Sequence, residues 1–166
     1  MKNLMNLFFP EKNDNYSKAK SGLSNIKKKF DGFALSFPDI TPDEIMFVKE
    51  KWETLPKSIS KGVKIMALKF RDDCKCLLTS YDSNSYIRPH RHTEEYEHGV
   101  ILKGQLIDKF RNISYKVGDT YVIEPNKIHY LSSSIDGCLV YSQLSQNKIH
   151  ELEPLPKNLL SKLEMV

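Results

Sequence analysis

The sequence predicts an all-β fold, a jelly-roll β-barrel with short N-terminal helices and room for one short C-terminal helix. Three observations lead to it. Short apolar segments follow one another from Val63 to Leu144, punctuated by Gly, Pro, Asn, Asp and Ser. No helical pattern separates them, which favours antiparallel strands over βαβ units. His90 and His92 stand two apart, a spacing that places both side chains on one face of a strand.

The elements follow in chain order. Residues 1–60 read as a helical and irregular extension that packs on the barrel. Asn13-Asp14-Asn15 reads as a loop, and Tyr16 to Phe30 holds a short helix of weak apolar periodicity. Thr41-Pro42-Asp43-Glu44 has the form of a capping box with Pro at the first helical position. Ile45, Val48, Trp52 and Leu55 then form one narrow apolar stripe, predicting a helix that ends near Pro56. Residues 61–150 form the barrel. Its strands are expected at Val63 to Phe70, Cys74 to Tyr81, Tyr86 to His92, Gly99 to Asp108, Ile113 to Lys116, Thr120 to Ile123, His129 to Ser132 and Cys138 to Leu144. Residues 151–166 form a tail in which Leu159, Leu160 and Leu163 have helical spacing.

Composition narrows the function classes. A chain of 166 residues suits one domain with a hydrophobic core. Its 25 basic residues are offset by 21 acidic ones and scattered, so nucleic acid is not an expected partner. Lys27-Lys28-Lys29 reads as a solvated helix face. No apolar run approaches the ~18 residues of a membrane span. The first ten residues lack the core and cleavage site of a signal peptide. Three cysteines, an odd number, fit free thiols in a reducing cytoplasm. Cys74 and Cys76 read as packing residues, since no second Cys pair or nearby His completes a ligand set.

The residues that carry chemistry are His90, His92, Glu97 and His129. Three imidazoles and a carboxylate suit a first-row divalent metal and fit poorly with Cu(I), which prefers sulfur. His98 adjoins Glu97 and is expected on the opposite strand face, in packing or at the surface. His150 lies beyond the barrel in a polar segment.

The stretch His90-x-His92, Glu97 and Gly104 resembles the first motif of the cupin superfamily, with Asn84 where that motif opens with Gly. Gly118, Pro125, Asn126 and His129 match the second motif in spacing. There Glu124 replaces Pro, Asn126 replaces Gly and Ser133 replaces Asn. Asn tolerates the left-handed conformation, so the turns at Asn84 and Asn126 are expected to form. Thirteen residues separate Gly104 from Gly118, a short spacing similar to microbial single-domain cupins.

The resemblance implies that His90, His92, Glu97 and His129 hold one divalent transition metal, Fe(II), Mn(II), Ni(II) or Zn(II), inside the barrel. It implies a small metal-dependent enzyme acting on a small organic molecule such as an acid or thiol. An Fe(II)-type dioxygenase comes first and a lyase or isomerase second, with Tyr96, Tyr121 or Tyr130 as base or proton shuttle. A non-catalytic metal- or ligand-binding module is the third reading, and a homodimer is expected because such barrels commonly pair through their sheets.

Strand alternation extends the site. It turns Tyr86, Arg88, Gly99, Ile101, Tyr121, Ile123, Leu131, Ser133, Tyr141 and Gln143 inward, making Arg88, Tyr86, Tyr121 and Tyr141 the candidate substrate-binding residues. Tyr96 and Tyr130 are the candidate catalytic residues. An inward Arg88 would require an anion, because an unpaired buried charge costs on the order of several kcal/mol. The alternative leaves Arg88 at the barrel mouth or paired with Glu94 or Glu95.

Overall fold

Alternating polar and apolar residues, many of them β-branched or aromatic, draw the chain into long strands. The computed structural model describes residues 12–30, 46–47, 52–71, 74–93, 95–144 and 153–154, with side chains for 12–23, 52–67, 76–93 and 95–144. Its elements are α1 (Asp14–Phe30), β1 (Met46–Phe47), β2 (Glu53–Thr54), β3 (Ser60–Arg71), β4 (Cys74–Ile87), β5 (His90–Arg91), β6 (Glu97–Asp108), β7 (Ile113–Lys116), β8 (Thr120–Ile123), β9 (Leu131–Leu144) and β10 (Glu153–Pro154).

An antiparallel sheet of eight strands runs in the order β1-β3-β4-β9-β6-β7. β2 adds to β3 and β8 adds to β6. Among the described residues the sheet is not closed by a continuous ladder. β5 and β10 form a separate antiparallel pair. An isolated bridge between His90 and His129, with N–H···O bonds of 3.1 and 3.0 Å in the two directions, links β5 to the segment before β9.

Two cores form on opposite faces of the sheet. Met66, Cys76, Leu78, Val100, Leu102, Leu139 and Tyr141 pack with Ala19 and Leu23 of α1. Val63, Tyr81, Ile87, Ile101, Leu106, Tyr121, Ile123, Leu131, Cys138 and Val140 pack on the other face. Each fully buried aliphatic side chain of this kind contributes about 1.5–3 kcal/mol. α1 is capped by Asn13, whose Oδ1 accepts a 3.1 Å bond from the Tyr16 amide, and Asp14 lies in its first turn. The helix therefore starts inside the segment expected to be a loop.

The structure corrects several expectations. Met46–Phe47 and Glu53–Thr54 pair with β3 as strands, so the helix expected from Ile45 to Pro56 does not form at those residues. The outer edge of β3 offers them ladder bonds, such as Leu55 N–H to Val63 O at 3.0 Å, that a narrow stripe interrupted by Lys49 does not outweigh. Its capping box, Thr41 to Glu44, lies outside the described residues, as do Leu159 to Leu163, His150 and Glu94. Part of the tail instead pairs as β10 with the strand of His90.

Two expected breaks are bulges within long strands. Asp82 to Ser85 lies inside β4, and Asp136-Gly137 lies inside β9. Asn84 and Asn126 adopt φ of 51° and 62°, the left-handed region expected of them. Among the described residues, no helix is long and apolar enough to cross a membrane.

Candidate metal centre

The bridge between His90 and His129 brings their rings together, with centroids 4.0 Å apart and planes inclined at 63°. His92 follows two residues on, its ring 5.2 Å from each of the other two. All three are buried, and one nitrogen from each lies within 4.8 Å of the others. Glu97, at the start of β6, completes the group. Its Oε2 is 3.1 Å from His92 Nε2 and 4.0 Å from His129 Nε2. The structure thus brings together the four residues that the motifs select.

The backbone decides which nitrogens face the centre. His90 Nδ1 is 2.8 Å from the Arg88 carbonyl, and His129 Nδ1 is 3.2 Å from the Lys127 carbonyl. Only a protonated Nδ1 can donate there, so each Nε2 keeps its lone pair. Metal-binding imidazoles are oriented in this way. His129 is fully buried and its Nε2 has no hydrogen-bond partner. A buried nitrogen lone pair aimed at two imidazoles and a carboxylate is a costly arrangement unless a cation joins it. The donor set therefore fits a divalent metal.

The electrostatics agree. Burial lowers His90 from 6.5 to about 4, against the opposing pull of the Arg88 carbonyl. It lowers His129 from 6.5 to about 3, with His90 adding to the effect. Burial alone would raise Glu97, but its hydrogen bond to His92 and the surrounding imidazoles and Tyr121 hold it down to about 2. Neutral imidazoles and an ionised carboxylate are the protonation states a metal needs. Burial, followed by the Glu97 charge, pushes the phenols of Tyr81 and Tyr121 well above their usual range.

Residues around the candidate ligands are tied to one another. Asn126 donates its backbone N–H to the His92 carbonyl at 2.6 Å and its Nδ2 to the Thr93 carbonyl at 3.1 Å. The second motif thus holds the first. Ser133 accepts the Ser85 amide at 3.0 Å and donates to the Asp82 carbonyl at 2.6 Å, bracing the Asn84 bulge from β9. Glu95 is buried with Oε2 3.8 Å from His92 Nδ1, a neighbour that alternation does not reveal because the segment between β5 and β6 is irregular.

The wider pocket is only partly as expected. Gly99, Ile101, Tyr121, Ile123 and Leu131 share the face of Glu97 or its core. Tyr121 donates a 2.6 Å hydrogen bond to Glu97 Oε1. Tyr86 is turned away: Ile87 takes the inner position, and Tyr86 meets Tyr130 edge to face at 6.1 Å. Lys109 lies over the Tyr130 ring at 5.1 Å. Arg88 is exposed, so its guanidinium creates no buried charge that demands an anion. Tyr141 is fully buried in the core beneath α1, where its hydroxyl meets Cys76 and Gln143. Tyr96 is half-buried beside Glu97 in sequence. His98 is fully buried and sits opposite Gln143 in the ladder. Gly137 resets the alternation within β9, which displaces Tyr141 and Gln143 from the site, and Arg88 and Pro89 break it between β4 and β5, which displaces Tyr86.

No protein-family model matches the chain, and no curated protein does. Solved structures do. A cupin-2 domain, Rru_A2000 from Rhodospirillum rubrum, is 11% identical with a TM-score of 0.58, covering 70% of this chain and 80% of that one. A cupin 2 conserved barrel domain protein from Rhodopseudomonas palustris is 16% identical with a TM-score of 0.56, covering 74% and 83%. KdgF from a Halomonas species is 16% identical with a TM-score of 0.55, covering 63% and 94%.

Proposed function

We propose, for a chain whose barrel has the cupin fold, a small metal-dependent enzyme acting on a small organic molecule, with Fe(II)-type dioxygenation as its reaction class. The observation that carries the reading is the convergence of His90, His92 and His129 at a buried point, with Glu97 beside His92 and His129 and the His129 Nε2 lone pair unmatched. When bound there, a divalent metal supplies Lewis-acid polarisation and, as iron, redox chemistry.

The chain's own groups do the rest. The carbonyls of Arg88 and Lys127 hold the protons of His90 and His129 on Nδ1, away from the centre. Glu97 contributes the negative charge, and Tyr121 keeps its proton directed at Oε1. Burial of the three imidazoles limits water around them and strengthens every charge interaction there. With Arg88 exposed, no inner cation among the described residues selects an acid, so thiols and neutral molecules stand beside acids as substrates. Cys76 and Cys138 are buried and not joined in a disulfide, which fits a cytoplasmic setting.

Metal analysis of the purified protein, followed by oxygen uptake with Fe(II) and a panel of small acids and thiols, tests the reading. Stoichiometric iron with substrate-dependent uptake supports it. A zinc-loaded protein that consumes no oxygen contradicts the dioxygenase and leaves a lyase, an isomerase or a binding module.

A further inference from the structure

The fold treats the two carboxylate oxygens of Glu97 differently. Oε2 faces the imidazoles, 3.1 Å from His92 Nε2 and 4.0 Å from His129 Nε2. Oε1 accepts a hydrogen bond from Tyr121 Oη at 2.6 Å, within the short range of a phenol bonded to an ionised carboxylate. Tyr121 reaches Glu97 from β8, where it pairs with Gly99 while Ile123 pairs with Glu97.

The phenol is held from several sides. It is nearly fully buried, and its ring lies 5.6 Å from that of Tyr115. It also lies directly over Gly99, where a Cβ would strike ring carbons Cε1 and Cζ. Gly99 therefore matters for the side chain it lacks, which lets a ring approach the strand closely. With its ring confined, Tyr121 fixes the rotation of the Glu97 carboxylate.

We propose that Tyr121 is a positioning residue that restricts Glu97 to ligation through Oε2 alone, so that the place a chelating Oε1 would fill is left to an external donor. This rests on reading His90, His92, Glu97 and His129 as a metal site. The donor class that follows is a small anion or neutral molecule bound through one oxygen, nitrogen or sulfur atom. Without the phenol, Glu97 is free to turn and present both oxygens.

The probe is azide, titrated into the Co(II)-loaded protein and followed by visible absorption. Tyr121→Phe keeps the ring and its packing and removes only the hydrogen bond. It is expected to weaken azide binding by roughly 10–100-fold, the range over which outer partners of metal ligands act. Gly99→Ala, which displaces the ring but keeps the phenol, is expected to shift azide binding in the same direction, and it carries the test if the phenylalanine form does not fold. Equal azide affinity in the variant and the wild type overturns the proposal, even where thermal stability falls. His90→Ala separates the two claims. A wild type that takes up no Co(II), or a His90→Ala protein that takes up as much, removes the metal site itself and the proposal with it.

Discussion

At His90 and His129, burial outweighs the opposing pull of a backbone carbonyl on the same ring, and this makes the site sensitive to acid. Both folded-state values lie below the ordinary 6.5, at about 4 and about 3. The unfolded chain therefore binds these protons more readily than the folded one, and the stability they confer is lost as pH falls below about 6.5. Glu97, held at about 2 against an ordinary 4.5, adds a loss of the same sign at lower pH. The metal-free protein is thus expected to melt at progressively lower temperature between about pH 7 and about pH 5. A flat or rising melting temperature over that range would contradict the assignment. Glu97→Gln tests the carboxylate by another route. It removes the charge but nearly keeps the shape, so metal affinity should fall by at least the roughly 10–100-fold typical of lesser changes around a site. The circular dichroism of the barrel should be unchanged, and if the variant unfolds, Glu97 is a structural residue instead.

Among the elements, the turns carry more of the design than their length suggests. Asn126 occupies the left-handed region and ties the segment before His129 to the carbonyls of His92 and Thr93. Asn126→Ala should cost about 1–2 kcal/mol from the backbone conformation alone. Asn126→Gly restores that freedom and loses only the side-chain bond, so chemical denaturation should rank glycine above alanine. The reverse order would show that the turn conformation is not what matters there. These turns were legible in the sequence because Asn at a spacing that demands a left-handed residue has a physical meaning. The four candidate ligands were legible through the paired spacing of His90 and His92 together with the motif spacing that adds Glu97 and His129. The helix expected from Ile45 to Pro56 was not, because the edge of β3 competes for Met46–Phe47 and Glu53–Thr54 and local periodicity contains no information about that edge. Nor were the inward residues of β4 and β9. The break at Arg88 and Pro89 and the left-handed Gly137 change which side chains face the site, and this moved Tyr86 and Tyr141 out of it.

Over the whole molecule, one sheet separates two tasks. The face beneath α1 is a core of aliphatic and aromatic side chains, and the opposite face carries the candidate ligands and their supports. Leu102 is fully buried in the first core. Leu102→Ala should cost about 2–5 kcal/mol in denaturant unfolding, while the visible spectrum of the Co(II) form should remain that of the wild type. A changed spectrum would mean that the two faces are not separable. The division also bounds what the fold can say about chemistry, since one barrel hosts many activities and the site decides among them. His90, His92, Glu97 and His129 are expected to act as one metal centre. The most direct test is the metal content of purified wild-type protein beside His90→Ala and His129→Ala. The expected result is one divalent metal per chain in the wild type and its loss in both variants, with the barrel still folded. A wild type without stoichiometric metal, or variants that retain it, would contradict the central claim.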